Sequence, residues 1–272
     1  MAANPEPKPR TRRTAPRIAI VLAALAALAW HTRPDGRLHV IFPAVAGDAA
    51  IIRTPSGGFV LIDGGADPTA IAAALGRRMP FWQRSLDAVV LTSPDAQRLP
   101  GQVAALTRYR ARVALAPPAS SRGATFAEWQ RLLAEQRTPV HTAQPGARLA
   151  LGGATLTVLA AHDEGLLLLV QYGRTSAALA HTAGPALDHA LPGRTGQCDL
   201  LAFPWERDPR SPLVEALQPR AILFTDGYRG DDPIELTYAE RAVGGADLYH
   251  ERVDGTIEWI SDGQRAWVTA ER

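Results

Sequence analysis

The stretch LHVIFPAVAGDAAIIRTPSGGFVLIDGG, residues 38–65, decides how this chain folds. It holds three short runs rich in β-branched residues, at 38–42, 49–53 and 59–63, and the breaks between them contain glycine, proline and serine. Such runs are typical of strands, and such breaks are typical of turns. The stretch therefore predicts three consecutive β-strands joined by tight turns, with the chain leaving the last strand at Asp63.

The regions beyond this stretch alternate strand-like and helix-like patterns. A helix is predicted over 68–78, and the apolar run at 87–91 predicts a further strand that leads into a loop at 92–101. The second half of the chain repeats the alternation. Two sheets packed face to face, with helices on both outer sides, would bury the apolar faces of both halves. We therefore predict an α/β (α+β) chain with an αββα sandwich over residues 32–272, preceded by one N-terminal hydrophobic helix.

Composition restricts the class of protein. Of the 272 residues, 46% are apolar and 21% are charged, values that exclude a disordered or collagen-like chain. The only cysteine is Cys198, which excludes an internal disulfide and a cysteine-based zinc knuckle. Residues 1–17 hold five basic residues and one acid, which leaves 24 basic and 26 acidic residues in the remainder. This balance argues against a large electrostatic footprint for nucleic acid on the folded body.

The first thirty residues have the features of a targeting segment. Residues 1–17 are basic and proline-rich, which predicts a disordered cytoplasmic tail. An uncharged apolar run of 13 residues follows at 18–30. This length fits an export signal, with Ala27-Leu28-Ala29 as the cleavage site, whereas Trp30 is typical of an uncleaved interfacial anchor. We favour a membrane anchor over residues 18–31 with the bulk of the chain outside the cytoplasm; the alternative is export after cleavage.

These motifs resemble a known family. The opening stretch is similar to the start of a metallo-β-lactamase-fold domain, above all the extracytoplasmic domain of ComEC-type competence (DNA-uptake) proteins. The likeness covers most of residues 38–269 in five blocks, each modest alone but in the family's order. The blocks are VAGDA, TPSG and LIDGG within 45–65; LDAVVLTSPDAQRLPG at 86–101; DLLAFP at 199–204; PLVEALQPRAILFTDG at 212–227; and DGTIEWISDG at 254–263.

The resemblance implies a pair of metal ions, usually zinc, at the strand ends, yet this chain has lost most of the ligands. Aligned with the family's histidines and aspartates are Ser93, Asp95, Gln97, Arg98, Thr182, Trp205 and Glu206. Of these aligned positions, only Asp95 keeps the family's ligand type, the carboxylate of the loop motif; the others no longer carry theirs. A guanidinium such as that of Arg98 has no lone pair for a metal. The comparison predicts no dinuclear site, no catalytic residue and no cofactor.

Two residues near the old cleft allow other interpretations. His181 lies next to the lost bridging position, and with Asp95 and Glu206 it could form a weak mononuclear zinc site. A metal-dependent hydrolase or phosphodiesterase with rearranged ligands is therefore the alternative function. The competing interpretation of His181 is a polar residue at the rim of the cleft. Asp63 in the LIDGG loop is expected to be structural, through an Asx-turn or a hydrogen bond that locks a loop.

The preferred function is a catalytically degenerate, membrane-tethered protein with a binding or scaffolding role outside the membrane, linked to DNA uptake or to a protein partner in the envelope. Arg98 either pairs with Asp95 as an internal salt bridge or converts the old pocket into an anion or peptide site. Nucleic acid is a weaker candidate partner. It rests on Tyr109 among the arginines at 108–112 and on Trp205 near the arginines at 207 and 210, and a solvated helix–strand junction shows the same pattern.

Overall fold

A computed structural model describes residues 33–118, 121–163, 165–182, 184–188, 196–225 and 241–272. The predicted cytoplasmic tail at 1–17 and the predicted anchor at 18–31 lie outside these residues. Within the described ranges, no helix is long and apolar enough to cross a bilayer. Residues 35–272 form one compact unit by their internal contacts.

The first half of this unit opens on three strands and then alternates strands with helices, as the pattern at 38–65 predicts. In chain order the elements are β1 (Leu38–Phe42), β2 (Ala49–Arg53), β3 (Phe59–Asp63), α1 (Pro68–Arg78), β4 (Ser85–Leu86), β5 (Ala88–Val90), α2 (Leu99–Arg108), β6 (Arg110–Ala111), β7 (Ala114–Ala116), α3 (Ala124–Glu135) and β8 (Val140–Thr142). Helix α1 begins where it does because Asp67 accepts hydrogen bonds from the backbone N–H groups of Thr69 and Ala70, and Pro68 occupies the first helical position.

The second half is richer in strands. In chain order its described elements are β9 (Arg148–Leu151), β10 (Ala154–His162), β11 (Gly165–Tyr172), β12 (Thr175–Leu179), α4 (Pro185–Asp188), β13 (Leu200–Pro204), α5 (Pro212–Leu217), β14 (Ala221–Thr225), β15 (Asp247–His250), α6 (Glu251–Asp254), β16 (Ile257–Ser261) and β17 (Ala266–Ala270). The last two strands return to the first sheet, where β16 pairs with β1.

Two large mixed sheets result. The first has the order β17-β16-β1-β2-β3-β5-β7-β8 and the second has the order β15-β14-β13-β12-β11-β10-β9. In the first sheet β2 is antiparallel to β1 and β3, whereas β3, β5, β7 and β8 are parallel. In the second, β12 to β15 are parallel. The carboxyl ends of β3, β5 and β7 therefore meet at one edge of the first sheet.

Three apolar layers hold the sheets and helices together. The central layer lies between the sheets and includes Phe42, Leu168 and Trp259. A second layer packs α1, α2 and α3 on the outer face of the first sheet, with Trp129 fully buried in it. A third packs α4 and α5 on the second sheet around Phe203. The order helix, sheet, sheet, helix confirms the predicted αββα sandwich. Burial of each large side chain contributes about 1.5–3 kcal/mol.

One backbone contact fixes α2 against the end of β3. A Cβ atom added to Gly101 would lie 1.7 Å from the carbonyl oxygen of Gly64. The amide of Gly101 also donates a hydrogen bond to the carbonyl of Gly65 at 3.0 Å. Only glycine at positions 64 and 101 permits this close approach of the two backbones. The LIDGG loop and the start of α2, which directly follows Arg98, are therefore held in direct contact.

A buried histidine on β1 gives the fold a pH dependence that can be tested. The ring of His39 bonds Glu258 Oε1 at 2.6 Å and Asp35 Oδ2 at 2.8 Å. Burial lowers the pKa of His39, but the two carboxylates outweigh burial and raise the pKa above its usual value. The stabilisation is therefore complete below the unfolded-state pKa of about 6.5 and is lost as pH rises through the raised pKa of the folded state.

We expect His39→Gln to destabilise the protein by about 1 kcal/mol at pH 5.5 and by less at pH 9. Urea unfolding of the wild type and of the variant at both pH values measures the difference. An equal loss of unfolding free energy at the two pH values would show that the charge of His39 contributes nothing.

Candidate functional site

The strand ends of both sheets bring six polar residues together at one edge of the sandwich. Three carry carboxylates from the first half of the chain, and one histidine comes from the second. We call this group the polar hub; its members are Asp48, Asp63, Thr92, Asp95, Arg98 and His181. Asp48 precedes β2, Asp63 ends β3, and His181 follows β12 of the other sheet. The hub lies at the edge where the family resemblance puts its metal ligands.

Asp63 is the buried centre of the hub. Its backbone has a φ of 54°, a left-handed conformation that is uncommon outside glycine. Its Oδ1 accepts a hydrogen bond from the Thr92 amide at 2.7 Å, and its Oδ2 accepts one from the Thr92 hydroxyl at 2.7 Å. Oδ2 also lies 2.9 Å from Nδ1 of His181, which carries the hydrogen because a carboxylate can only accept. Asp63 thus locks the loop after β5 and ties the two sheets together.

Arg98 is the cation of the hub. The residue immediately precedes α2, and its side chain is 14% exposed. The guanidinium donates to Asp95 Oδ2 at 2.6 Å, to Asp48 Oδ2, and to the backbone carbonyl of His181 at 2.6 Å. The Arg98–Asp95 pair that the sequence suggested is therefore present, and a second, more deeply buried carboxylate joins it. Both terminal nitrogens of the guanidinium already donate to protein oxygens. An anion site would need N–H donors that are open to a ligand.

The charges of Asp48 and Arg98 depend on each other. Burial raises the pKa of the Asp48 carboxyl, and the positive charge of Arg98 lowers it but does not restore the usual value. Burial likewise lowers the pKa of Arg98, but Asp48, Asp63 and Asp95 outweigh burial and raise it. The hydroxyl of Thr225 lies near Asp48 and also lowers its pKa, although the two groups do not reach good hydrogen-bond geometry. Arg98 is therefore the main counter-ion of a buried carboxylate.

Several polar atoms of the hub and of the neighbouring Thr225 have no hydrogen-bond partner within the described part of the chain. They are Asp48 Oδ1, Arg98 Nε, His181 Nε2 and Thr225 Oγ1. A metal ion requires lone pairs from all its ligands, whereas this set includes an N–H donor on a permanently charged guanidinium. Among the described residues, no group of three or more His, Cys, Asp or Glu side chains has the arrangement of a metal site. The residues at this edge therefore do not fit the dinuclear centre that the family resemblance implies.

The mononuclear zinc hypothesis joined His181, Asp95 and Glu206, but the structure does not bring these three together. The ring of His181 is bonded to Asp63 and the carboxylate of Asp95 to Arg98, while Glu206 is exposed to solvent. His181 is 1% exposed, so it is a buried residue and not a residue at the rim of the cleft. The rim interpretation is wrong because β12 carries the ring into the interior.

The other positions aligned with ligands have ordinary structural surroundings. Ser93 is partly exposed and Gln97 is exposed in the loop before α2, where the Gln97 carbonyl accepts from the Asp48 amide at 3.1 Å. The Thr182 hydroxyl accepts a hydrogen bond from the Leu166 amide at 3.1 Å. Trp205 packs edge-on against Phe224, with ring centroids 5.2 Å apart. None of these contacts points to a reacting group.

The aromatic residues behind the nucleic-acid hypothesis are buried. Tyr109 is 6% exposed and Trp205 is 5% exposed. The guanidinium of Arg241 covers one face of the Trp205 ring, 4.1 Å from its centroid. Neither ring can stack on a base without rearrangement. The arginines at 108, 110 and 112 remain exposed, so only the electrostatic part of the hypothesis keeps structural support.

Asp48 and Thr92 are hub residues that sequence reasoning missed. Asp48 lies in a break that the sequence predicts only as a turn, and the sequence assigns no role to Thr92. One signal could have found Asp48: a permanently charged arginine in a cleft needs a buried counter-ion. For Thr92 no sequence signal exists, because its contact with Asp63 depends on the pairing of β3 with β5.

Comparison with known proteins identifies the fold. No protein-family model matches the chain, and no curated protein matches it. The metallo-β-lactamase fold protein YhfI from Bacillus subtilis is 13% identical, with a TM-score of 0.53 over 85% of this chain and 99% of that chain. Zn²⁺-bound PqqB from Methylobacterium extorquens is 11% identical, with a TM-score of 0.54 over 78% of this chain and 97% of that chain.

A third similar structure is CmlA, a diiron β-hydroxylase from Streptomyces venezuelae. It is 15% identical, with a TM-score of 0.52 over 78% of this chain, and the match spans only 52% of that chain. At such identities the likeness concerns the fold alone. The described unit has the metallo-β-lactamase fold, as the sequence predicted.

Proposed function

We propose that this chain is a catalytically degenerate protein of the metallo-β-lactamase fold, tethered to a membrane by residues 18–31, with a binding or scaffolding role outside the cytoplasm. The observation that carries the proposal is the position of Arg98. Its guanidinium bonds two carboxylates and a backbone carbonyl at the strand ends, where the family resemblance calls for metal ligands. The arginine supplies a fixed positive charge to the buried carboxylates without supplying a Lewis acid.

A fixed cation suits a structural role better than a hydrolytic one. In the family, a metal ion would bind a water molecule and ionise it. A guanidinium cannot do this, because it only donates hydrogen bonds and does not coordinate water as a Lewis acid. Arg98 instead joins the loop before α2, the turn before β2 and the end of β12. The loops at this edge are thus held in one arrangement, and a preformed loop surface is what a binding or scaffolding protein needs. The partner we favour is a protein of the envelope, in a system related to DNA uptake.

The metal-dependent hydrolase remains the second candidate, on one observation. Nε2 of His181 is buried and, among the described residues, has no hydrogen-bond partner, and Oδ1 of the nearby Asp48 is in the same situation. An imidazole nitrogen and a carboxylate oxygen are both ligand atoms for zinc. A weak mononuclear site would use these two atoms.

Metal content separates the two candidates. The full chain would be purified in detergent without a chelating tag, after growth with added zinc, manganese and iron, and analysed for metals. We expect less than about 0.1 equivalent of any metal, because a site short of ligands and beside a guanidinium binds metal weakly.

The control is the variant His181→Ala, which should match the wild type. One equivalent of metal in the wild type that disappears in His181→Ala would replace our proposal with the hydrolase, and phosphodiesterase assays would then follow.

A further inference from the structure

Large apolar side chains are exposed at one end of the fold, opposite the polar hub. In the described ranges, the large apolar residues that stand out by exposure are Phe81 at 68%, Trp82 at 49% and Val140 at 49%. Phe81 and Trp82 lie between α1 and β4, with their rings packed edge to face and 4.9 Å between centroids. Val140 begins β8. Two adjacent exposed aromatic rings are unusual on a soluble surface and mark a contact site.

Four arginines lie on or beside the strand pair that follows the aromatic rings. Strands β4 and β6 pair side by side, and the amide of Arg110 donates to the carbonyl of Arg84 at 2.9 Å. Arg108 and Arg112 flank β6, and all four arginines are exposed. The only acid in the segments 77–87 and 108–112 is Asp87, which pairs with Arg112 at 3.0 Å. We call Phe81, Trp82, Arg84, Arg108, Arg110 and Arg112 the aromatic–arginine patch.

The chain enters the fold at the same end as this patch. Because β2 is antiparallel to β1 and to β3, the first residue of β1, Leu38, lies at the edge where β3 and β5 begin. Phe81 and Trp82 lie in the segment between α1 and β4, shortly before β5 begins at that edge. The six residues 32–37 separate the apolar segment from β1, and they span at most about 20 Å. A chain anchored by residues 18–31 would hold this end close to the bilayer.

A basic cleft lies at the corresponding end of the second sheet. It has a volume of about 460 Å³ and is lined by Arg174, Arg220 and Arg265 with a single carboxylate, Asp199. Arg174 precedes β12 and Arg220 precedes β14, so both stand at the amino ends of parallel strands. The hairpin that carries Arg174 bonds the β16–β17 hairpin, since the Arg174 amide donates to the Gly263 carbonyl at 2.7 Å. Ser261 of that hairpin pairs with Leu38, where the chain enters.

We propose that this end of the fold docks on the surface of an anionic phospholipid bilayer. Tryptophan prefers the headgroup region, and phenylalanine inserts at the boundary between headgroups and acyl chains. Arginine binds lipid phosphates through paired N–H donors. The aromatic–arginine patch supplies both kinds of contact, and the basic cleft offers arginines for a further headgroup. The docked domain turns the polar hub and its loops away from the membrane. This inference rests on the proposed tether, which it supplements with a second, electrostatic contact.

The test uses the full chain and measures how close the patch end and the hub end of the fold lie to the lipid. A fluorescent label is attached at Gln83→Cys in the patch or at Thr125→Cys on α3, which is exposed near the hub end. The native Cys198 does not compete, because burial raises the pKa of its thiol to about 12. The chain is reconstituted into vesicles of phosphatidylcholine with one quarter phosphatidylglycerol, whose acyl chains are brominated to quench nearby fluorophores.

We expect quenching of about two-fold or more at position 83 and little at position 125, since aromatic contacts place the patch at headgroup depth. Phe81→Ser with Trp82→Ser should weaken docking about ten-fold. Arg84→Gln with Arg110→Gln should weaken it about five-fold per arginine, with loss of the effect in pure phosphatidylcholine. The matched control Arg122→Gln with Arg210→Gln removes the same charge elsewhere and should change nothing.

Flotation of the same vesicles tests the tether separately. If the chain floats but positions 83 and 125 are quenched equally, or the patch variants quench like the wild type, the docking proposal is overturned while the tether stands. If the chain floats with neither kind of vesicle, both the tether and the docking proposal are overturned. If it floats only with anionic vesicles and the patch variants abolish flotation, docking is supported and the tether is not.

Discussion

The variant Arg98→Met is expected to lose about 3–5 kcal/mol of unfolding free energy at pH 7, because it leaves Asp48 charged and buried without its counter-ion. Methionine fills much of the volume of arginine but offers no donor. The partly exposed Asp95 carboxylate can turn to water, whereas Asp48 is 4% exposed and cannot. Urea unfolding followed by circular dichroism measures the loss.

Two further measurements separate the charge effect from simple damage to packing. The pKa of Asp48 is already raised by burial in the wild type, and without Arg98 it rises further. The folded variant then binds a proton that the unfolded chain releases, so its deficit should shrink as pH falls from 7 toward 5. Adding Asp48→Asn to Arg98→Met should recover about 1–2 kcal/mol at pH 7. A deficit that is independent of pH and additive in the double variant would refute the ion-pair account.

Arg131→Met is the matched control for the side-chain change. Arg131 forms ion pairs with Glu128 and Glu135 on the exposed face of α3. Exposed pairs of this kind contribute little, because water screens them. This variant should leave the unfolding free energy nearly unchanged, although it too removes an arginine from two carboxylates.

The second large effect is expected at Asp63. Asp63→Ala leaves the Thr92 amide, the Thr92 hydroxyl and Nδ1 of His181 without an acceptor in the interior, which should cost about 4 kcal/mol. The variant also places alanine at a φ of 54°, which adds about 1 kcal/mol of strain. Asp63→Gly removes the same carboxylate without the strain, so it should be the more stable of the two by about that amount.

Asp67→Ala provides the comparison four residues away. It removes a carboxylate that caps α1 at the surface, where water can replace the lost hydrogen bonds, and should cost about 1 kcal/mol. Chemical denaturation of the three variants tests the ranking. If Asp63→Gly proved as stable as the wild type, the carboxylate would have no structural role, and the left-handed backbone alone would explain an aspartate at this position.

The elements of the sandwich could be predicted from the sequence because they depend on local patterns. The runs at 38–42, 49–53 and 59–63 are strands in the structure, and Asp67-Pro68 starts a helix as its residue types require. The polar hub could not be predicted in the same way. Apart from the local pair of Arg98 and Asp95, its contacts depend on which strands become neighbours, and no periodicity in the sequence records that.

Arg98 and Trp205 show that the loss of a metal ligand can be predicted from the sequence, whereas the contacts that the new side chain forms cannot. The sequence showed that neither residue can be a metal ligand. It did not show that Arg98 forms an ion pair with Asp48 or that Trp205 packs against Phe224 in an apolar layer. Both outcomes follow from the pairing of strands: β2 and β3 set the position of Asp48, and β13 and β14 set that of Trp205.

The sequence separations inside the polar hub bear on folding kinetics. The contact between Asp63 and His181 closes a loop of 118 residues, and that between Arg98 and the His181 carbonyl closes one of 83. Contacts of this range carry a large closure entropy and form late, after the local strands and helices of each half. Substitutions in the hub should therefore leave the refolding rate almost unchanged and accelerate unfolding. On this expectation, the hub sets how long the native state persists, while the rate of reaching that state is determined elsewhere in the chain.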